Sequence, residues 1–548
     1  MIVGGARRAS DTESREAAGS GSAHAARRPW WVWTVPFAAV LGVLLVRNAF
    51  LFSTSLYEDA DPGANSILIE QARRFTLLVG HYSREKFNHP GPAFLYVQSW
   101  GESLFWAVLH VVPTAWNGQL IALYALNALF ASLIAGTGYG QARSVRTAAA
   151  CCAGLLALAA VRPEVFSSDW MPYVLVPAYL AFLVGIASVA AGRLQDAWIA
   201  ALTGWFLING NVAFLFFVPL AGCACVAALA WPRRRSLRAA VRSLAARRRI
   251  WVPVAVISVV FAFPIVLNTL LHWPGEFGKY LSYSAATSSA ATPGPHGLSQ
   301  VADYMLWFWW PGGGGAARWL VPVAAYVVAG AATWRLAPGP VRGFCVSLVA
   351  FSTLTSAAFV VYAATGIDEL DPTGHYIGYF YWAAPAVMVL VILVAVTEWL
   401  RPVPGLAVAA AVAVAACAAF AVAPQTRFST THTDPGNLGS GSDADPGLSA
   451  AVARMAALAA GRPVVLKLAH DAWPDMTGVL VQAERTGVTA CVASSYWEFM
   501  VSSQFICTPA ELAHGATFRL YVPGHVPHGQ RVVYQLRRAI VTGTPKGT

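Results

Sequence analysis

Apolar segments of about 20 residues recur along most of this chain and constrain its fold more than any other feature. A helix of that length crosses a hydrocarbon layer of roughly 30 Å. The chain is 57% hydrophobic and only 11% charged, whereas a soluble domain carries about 25% charged residues. We therefore predict an α-helical polytopic membrane protein. The predicted spans, about eleven in number, are 30–50, 117–138, 147–164, 172–191, 197–210, 212–231, 250–271, 318–334, 343–364, 377–398 and 405–423.

Arginines concentrate in the short connections between these spans and predict their orientation. The N-terminal tail holds several, and a dense block runs from Arg233 to Arg249. Placing these arginines on one side satisfies the positive-inside rule, with a cytoplasmic N-terminus and the C-terminus outside. We therefore attribute the net charge of +11 to arginine-rich loops at the membrane surface. It does not indicate nucleic-acid binding. The bias towards Arg and Ala is typical of a high-GC bacterium, so we predict the bacterial plasma membrane.

The chain divides into three predicted regions. Residues 1–29 form a disordered cytoplasmic tail, residues 30–423 the membrane domain, and residues 424–548 an extracytoplasmic domain. Two long outer loops interrupt the membrane domain, and the stretch 93–112 is expected to lie as a helix in the outer interface. In the last region, apolar runs of strand length alternate with a helical pattern, which predicts a small α/β domain. Its predicted elements are helices 448–460 and 476–485 and strands 464–468, 488–493, 518–522 and 532–536.

Two cysteines, Cys491 and Cys507, lie in that extracytoplasmic region, where oxidation is permitted. We predict that they form a disulfide. The other six cysteines lie in apolar spans, where cysteine behaves as a small hydrophobic residue.

An acidic segment, Tyr57-Glu58-Asp59-Ala60-Asp61, directly follows the first span. Carboxylates at a membrane face are costly to desolvate, so their clustering indicates chemistry. Asp59 is the first candidate for a general base, with Glu58 and Asp61 as alternatives. Because adjacent residues point in different directions, we expect one acid to face a cavity and another to orient a partner. The structural alternative is an Asx-turn cap on a helix over 64–78.

A second segment, Phe87-Asn88-His89-Pro90-Gly91-Pro92, lies later in the same loop. Its two prolines fix a rigid bend, and His89, beside Asn88, is expected to bind an acceptor or the acidic cluster. The alternative is an ordinary helix start, because proline is favoured in a first turn.

Basic and aromatic residues at the predicted outer face could bind an anion. The candidates are Arg162 with Asp169 after the third span, Lys279 in the second long loop, and His375 with Tyr376 before span 377–398. Arginine suits phosphate through its paired donors, and a residue at a helix start benefits from the helix dipole. The alternative for these basic side chains is interfacial snorkelling, and for the aromatic ones an interfacial belt.

The short motif Asp59-Ala60-Asp61-Pro62-Gly63 recurs as Asp443-Ala444-Asp445-Pro446-Gly447. Asp-Pro-Gly is turn chemistry. We interpret the repeat as coincidence, with the second copy in a flexible linker over 430–447.

Together these segments resemble the GT-C superfamily of polyprenyl-phosphate-sugar glycosyltransferases, especially protein O-mannosyltransferases, aminoarabinose transferases and actinobacterial arabinofuranosyltransferases. Those enzymes carry an acidic pair in the first outer loop, here Glu58-Asp59 or Asp59-Ala60-Asp61. The segment His89-Pro90-Gly91-Pro92 is similar to their His-Pro-Pro-Leu-Gly-type stretch but departs from it at Gly91. His375-Tyr376 stands where many members have Arg-Tyr. The resemblance covers roughly residues 30–400, mostly as layout.

The resemblance implies a GT-C-like fold and an inverting transfer outside the cytoplasm. The donor would be a polyprenyl-phosphate sugar, and the acceptor an envelope glycan, lipid or protein. One carboxylate base would suffice, because phosphate departs as an anion. Most such relatives work without a metal, although oligosaccharyltransferase-like members use a divalent ion with an Asp-x-Asp motif. If Mg or Mn binds here, Asp59 and Asp61 are the candidate ligands.

Two other functions are compatible with a polytopic chain. The first is a transporter or flippase of a lipid-linked or small solute, and the second is a non-catalytic scaffold. Ionisable residues gather at the outer rim and are nearly absent from span centres, which disfavours a proton-coupled carrier. A scaffold would not need the acidic cluster.

Overall fold

A computed structural model describes residues 28–231, 248–289, 296–310, 315, 317–367, 370, 374–400, 444–469 and 472–543. This part of the chain is mostly helical and ends in a small sheet. Almost all of the predicted tail, and the whole predicted span 405–423, lie outside the described residues. We refer to residues 28–400 as the helical domain and to residues 444–543 as the C-terminal domain.

The longer helices are numbered α1 to α16 in chain order. They are α1 Trp31–Arg47, α2 Ala60–Arg73, α3 Ala93–Gly101, α4 Ala115–Ala142, α5 Val145–Val161, α6 Met171–Ala190, α7 Ala197–Gly210, α8 Phe214–Ala230, α9 Arg248–Leu271, α10 Gly275–Ser289, α11 Leu298–Trp309, α12 Ala317–Arg335, α13 Gly339–Thr365, α14 Ala383–Trp399, α15 Leu448–Ala459 and α16 Trp473–Arg485. A 3₁₀ segment, His375–Trp382, leads directly into α14.

Each predicted span from 30–50 to 377–398 coincides with a helix of the structure. Among the described residues, five segments are long and apolar enough to cross a membrane: Ala115–Ala142, Met171–Ala190, Arg248–Leu271, Val341–Thr365 and His375–Trp399. The total of about eleven crossings therefore stays a prediction. The stretch 93–112, expected at the interface, contains α3 and the π-helical turn Glu102–Val108.

Helix α6 lies at the centre of the helical domain. Nearly all of its side chains are buried, and it packs against α4, α7 and α13. Helix α9 shows the opposite arrangement, because its apolar side chains, including Val256, Val260 and Phe263, are exposed. A helix that is apolar and exposed is typical of a surface that faces lipid.

The C-terminal domain is built on a five-stranded sheet in the order β2-β1-β3-β5-β4. Strand β1 pairs in parallel with both β2 and β3, whereas β5 pairs antiparallel with β3 and β4. The predicted β-α-β pattern is therefore present, and β5 is a strand that the sequence analysis missed. The strands are β1 Val464–Leu468, β2 Ala490–Val492, β3 Ala516–Tyr521, β4 Val532–Gln535 and β5 Ile540–Gly543. A disulfide joins Cys491 to Cys507.

Helix α2 belongs to the core of the C-terminal domain, although it comes from the first loop of the helical domain. Its Ala64 and Ile67 are fully buried among the apolar side chains of that core. A Cβ atom on Gly63 would lie 2.6 Å from Thr477 Oγ1, so glycine is needed for α2 and α16 to pack this closely. The Thr477 hydroxyl donates a 2.9 Å hydrogen bond to the Ala60 carbonyl. The first loop and the C-terminal domain are therefore one packed unit.

The second copy of the Asp-Ala-Asp-Pro-Gly motif pairs with the residues that directly precede the first copy. Glu58 forms an antiparallel bridge with Ala444, and the backbone N–H of Asp445 donates to the Tyr57 carbonyl at 3.0 Å. Ala444 and Asp445 are both buried. The expectation of a flexible linker is therefore wrong for the described end of that segment, residues 444–447, while Asp443 lies outside the described residues.

Candidate functional site

The main cavity of the described structure has a volume of ≈ 730 Å³ and lies between the helical domain and the C-terminal domain. Its apolar floor comes from helix ends of the helical domain, including Leu175, Tyr362 and Phe380. A polar wall comes from the first loop and from α2. A further wall consists of side chains of the C-terminal domain: Trp473, Tyr496, Trp497, Phe499 and Met500. We call this space the main cavity.

Helix α2 positions three different sets of residues on three of its faces. Asp61 and Asn65, one turn apart, line the main cavity. Ala64 and Ile67 face the core of the C-terminal domain. Ser66, Glu70 and Arg73 face a buried group of charges. One helix therefore fixes the cavity relative to the domain that covers it.

Asp61 is the member of the acidic segment that lines the main cavity. The Tyr82 hydroxyl donates to its Oδ1 atom, and the Trp170 indole N–H donates to its Oδ2 atom at 2.7 Å. A carboxylate oxygen can accept two hydrogen bonds, so each oxygen retains room for another donor. Two donors from different elements fix the orientation of this carboxylate, which leaves it placed to accept a proton from a bound molecule.

Glu58 and Asp59 are not among the residues that line the cavity. Both side chains are fully buried. Glu58 accepts a 2.7 Å hydrogen bond from Arg485, and Asp59 accepts one from Arg538. Their partners are arginines of the C-terminal domain, so these two acids join the domains.

The capping alternative for the acidic segment is also not realised. The capping alternative has Asp61-Pro62 open the helix, but α2 already begins at Ala60, and Asp61 accepts from Tyr82 and Trp170. The observed N-cap residue, Asp59, makes no side-chain hydrogen bond to the first turn. Ala60 has a φ of 50°, in the left-handed region that non-glycine residues rarely occupy. Backbone in this region costs roughly 1–3 kcal/mol and persists where surrounding contacts impose it. Here the Thr477 bond to the Ala60 carbonyl and the two arginine pairs impose it.

His89 lines the main cavity beside a second histidine, His81, with ring centroids 4.0 Å apart. Burial lowers the pKa of His89 to about 3. Burial, together with neighbouring His89, also lowers the pKa of His81. Both rings are therefore neutral near pH 7. His89 Nδ1 accepts the backbone N–H of Val212 at 3.2 Å, so its single ring proton is on Nε2, which is a donor.

The bend around His89 is held by backbone contacts. Asn88 does not line the cavity; its carbonyl accepts the Tyr280 hydroxyl at 2.5 Å, and its N–H donates to Glu276 at 2.7 Å. A Cβ atom on Gly91 would lie 2.1 Å from Asn209 Oδ1. The glycine at this position, where the resemblance to the O-mannosyltransferase motif ends, therefore permits the close approach of α7.

The sequence analysis missed the polar wall of the first loop, in which Arg84 lines the main cavity with its guanidinium 5.7 Å from the centre of the Tyr376 ring. Tyr376, a sequence candidate, lines the same cavity and packs on Trp170 with ring centroids 5.3 Å apart. The available signal was the polar run His81-Tyr82-Ser83-Arg84-Glu85, between the two segments singled out in the same loop. All five of those residues line the cavity.

Arg162 and His375 lie together in an aromatic cluster and are not among the residues that line the main cavity. The Arg162 guanidinium is 4.7 Å from the centroid of the Trp382 ring and 5.6 Å from that of Trp307. The His375 ring stacks between Trp307 and Tyr304 at 4.2 and 5.0 Å. Ring contacts connect this cluster to the cavity. Trp307 stacks on Tyr379, and Tyr379 contacts Trp170, which lines the cavity.

Asp169 and Lys279 are not among the residues that line the main cavity. Asp169 is buried and accepts the indole N–H of Trp116 at 2.6 Å. Lys279 pairs with Glu276 at 2.7 Å and lines a second cavity of ≈ 720 Å³ beside the first. Glu85 and Tyr283 line both cavities. Of the main sequence candidates, the structure therefore brings Asp61, His89 and Tyr376 into one cavity.

Asp59 and Asp61 do not fit as joint ligands of one divalent ion. Asp59 turns to Arg538, whereas Asp61 turns to Tyr82 and Trp170. Within the residues that the structure describes, no group of three or more His, Cys, Asp or Glu side chains could hold a metal ion. We derive no step through a metal.

A buried charge network fastens the C-terminal domain to the helical domain. Arg485 lies at its centre and donates to Glu58 at 2.7 Å and to Glu70 and Glu102 at 3.3 Å each. Arg73 donates to Glu70 and Glu102 from the other side, at 3.1 and 2.9 Å. Three carboxylates thus face two guanidinium groups. Such a network holds two surfaces in one register, because separating them would leave buried charges unpaired.

Glu102 makes this network sensitive to pH. Burial raises the pKa of Glu102 from its ordinary value of 4.5 to about 7. The Glu70 carboxylate adds to the rise, while the two arginines and Gln119 oppose it. The folded state therefore binds a proton that the unfolded chain releases. Its stabilising contribution is fully present below pH 4.5 and is lost as the pH rises through about 7.

We predict that the pH dependence of stability changes in Glu102→Gln. Wild-type protein should lose up to about 3 kcal/mol of stability from this one group across that pH window. Glutamine does not titrate, so the variant should show a shallower decline. The measurement is thermal unfolding of purified protein on both sides of the window. Equal slopes for the two proteins would contradict the assignment.

Similarity to known proteins gives no family for this chain. No protein-family model matches it, and no curated protein matches it. The chemistry of the main cavity is therefore the ground for a functional conclusion. That cavity combines one oriented carboxylate, a neutral imidazole, a guanidinium and several aromatic rings, next to apolar helix ends. These groups can hold an amphiphilic anion and remove a proton from a hydroxyl.

Proposed function

We propose that this chain is an integral membrane glycosyltransferase of the GT-C type. It transfers a sugar from a polyprenyl phosphate to an envelope acceptor on the outer face of the bacterial plasma membrane. The observation that carries this proposal is the Asp61 carboxylate, which lines the main cavity and is oriented by Tyr82 and Trp170. Asp61, rather than Asp59, takes the role of the general base.

The proposed reaction needs a single proton acceptor. The acceptor hydroxyl oxygen attacks the anomeric carbon of the donor sugar, and the bond from that carbon to the phosphate oxygen breaks. The bonding electrons leave with the phosphate, and the hydroxyl proton passes to Asp61. The product has the inverted configuration, because attack and departure occur on opposite faces of the ring.

The walls of the cavity match the parts of such a donor. Apolar helix ends on the floor, including Leu175 and Phe380, would contact the first isoprene units. Arg84 is half exposed over Tyr376, and its Nε lies 3.5 Å from Glu85. The rest of its guanidinium would meet the phosphate with paired donors. The Nε2–H group of His89 would donate to a sugar hydroxyl. Arg162 and His375, in the adjoining aromatic cluster, are left as candidates for a second anion contact.

The same cavity favours transfer over transport. A carrier needs a route between the two sides of the membrane, whereas the polar residues that line the main cavity gather at one end of the helices. The Asp61 carboxylate, oriented by two donors at the edge of an aromatic cavity, serves chemistry on a bound molecule.

The proposed function is tested with purified full-length protein in liposomes. Polyprenyl phosphates that carry radiolabelled mannose, glucose or arabinose are supplied with simple alkyl glycosides, and the labelled product is separated from the lipid. We expect transfer with at least one donor and an inverted linkage. Movement of the labelled lipid across the bilayer without any transfer would overturn the proposal and favour the flippase.

A further inference from the structure

The C-terminal domain supplies one whole wall of the main cavity, and that wall is aromatic. We define the aromatic wall as Trp473, Tyr496, Trp497 and Phe499, all of which line the cavity. They come from the connections that follow strands β1 and β2. In an open sheet, ligands bind outside the carboxyl ends of the parallel strands. The aromatic wall lies at that edge of the sheet.

The rings of the aromatic wall are fixed and yet open to the cavity. Trp473, Trp497 and Phe499 pack with one side on the core of the C-terminal domain. Tyr496 is 56% exposed, and its ring meets those of Trp497 and Phe499 edge to face at 5.1 and 5.9 Å. Lys86, from the loop that carries the polar wall, lies 5.3 Å from the Tyr496 ring centroid. Large rings left open beside a polar cavity mark a binding surface.

Packing between helices α16 and α2 fixes the position of the aromatic wall relative to Asp61. Trp473 is the first residue of α16, and α16 packs directly on α2, which carries Asp61 near its start. The Thr477 bond to the Ala60 carbonyl joins the two helices immediately beside Asp61. The charge network around Arg485 fixes the far end of the same helix pair. The wall therefore stands at a fixed place relative to the carboxylate, as a positioned reaction partner requires.

We propose that the aromatic wall is the acceptor subsite and that the acceptor is a carbohydrate. This inference rests on the proposed function and names its second substrate class. Sugar rings present flat faces of C–H groups, which pack on aromatic rings, while their hydroxyls remain free for polar groups. The wall offers such rings, and the same cavity offers Asp61, Ser83 and His81. Phe499 of the wall contacts the ring of Tyr82, whose hydroxyl donates to Asp61, so a sugar on the wall lies in the same space as the Asp61 carboxylate.

The inference predicts a specific kinetic change in Tyr496→Ala and Trp497→Ala, made separately in the full-length protein. Loss of one stacking ring should raise the KM for an alkyl glycoside acceptor about tenfold. The KM for the polyprenyl-phosphate donor should stay the same, because the donor lies on the floor. Tyr521→Ala is the matched control, since this tyrosine belongs to the same sheet and is not among the residues that line the cavity. Thermal unfolding of each variant verifies its fold.

Glycoside binding to a variant that lacks the proposed base tests this inference independently of the proposed function. Saturation-transfer NMR with methyl mannopyranoside and methyl arabinofuranoside is recorded on Asp61→Asn and on Asp61→Asn with Tyr496→Ala. We expect a signal in the first protein and its loss in the second. Glycoside binding that depends on Tyr496, together with a wild-type protein that transfers no sugar from any donor, would support the wall and overturn the function. Transfer with an unchanged acceptor KM in both wall variants, or acceptance of a serine peptide in place of glycosides, would overturn the wall.

Discussion

Asp61→Asn is expected to reduce sugar transfer by about 10²–10⁴-fold, because asparagine cannot accept the proton of the acceptor hydroxyl. The fold should be retained, since the amide oxygen can still accept one of the two hydrogen bonds that Tyr82 and Trp170 donate. Donor binding should also persist. The measurement is the initial transfer rate at saturating donor, together with the thermal unfolding of the purified variant.

Asp59→Asn is the matched control for that variant. Asp59 is two residues away but pairs with Arg538 and is not among the residues that line the cavity. We therefore expect it to lower thermal stability, with a transfer rate per folded molecule close to that of the wild type. Full activity in Asp61→Asn together with inactive but stably folded Asp59→Asn would return the role of base to Asp59.

Arg485→Ala is expected to cost about 3–5 kcal/mol of stability, because it leaves three buried carboxylates with a single remaining guanidinium. Glu58 and Glu102 are fully buried, and the Arg485 side chain is 7% exposed. The protein should respond by separating the C-terminal domain from the helical domain. Limited proteolysis should then cut near the α2–α16 contact, and transfer should be lost with the aromatic wall displaced from Asp61.

The control for Arg485→Ala is Arg454→Ala, because Arg454 is exposed on α15 of the same domain. That variant should unfold as the wild type does and keep the same proteolytic pattern. A proteolytic pattern and unfolding temperature of Arg485→Ala equal to those of Arg454→Ala would show that the network does not hold the domains together.

The secondary structure was largely predictable from the sequence. Apolar segments of membrane length coincide with helices, and strand β1 matches its predicted bounds. These patterns are local, since burial on a helix or strand imposes a period on neighbouring residues. Strand β5 was missed because Ile540–Gly543 is only four residues long and carries no alternation. The membership of α2 in the C-terminal core was also missed, because its partner α16 lies about 400 residues later and no local pattern reports such a contact.

The site was predictable in its location and not in its details. The sequence placed the acids and His89 in one loop and left open which acid faces a cavity. That choice depends on Arg485 and Arg538, which bind Glu58 and Asp59 from the far end of the chain. The repeat of Asp-Ala-Asp-Pro-Gly was informative about a long-range contact, since Ala444 of its second copy forms a backbone bridge with Glu58, just before the first copy. The aromatic wall follows a predicted strand, but which of its rings face a cavity depends on tertiary packing that no local pattern reports.

The most direct test of the central claim is a cryo-electron microscopy structure of the full-length protein with a phosphonate analogue of a polyprenyl-phosphate sugar, which cannot transfer its sugar. Our account predicts the isoprenoid on the floor at Leu175 and Phe380, the phosphonate at Arg84, and the anomeric carbon facing Asp61 across a gap that admits one hydroxyl. An analogue bound in the cavity that Lys279 lines, or one bound with its sugar remote from Asp61, would contradict the account.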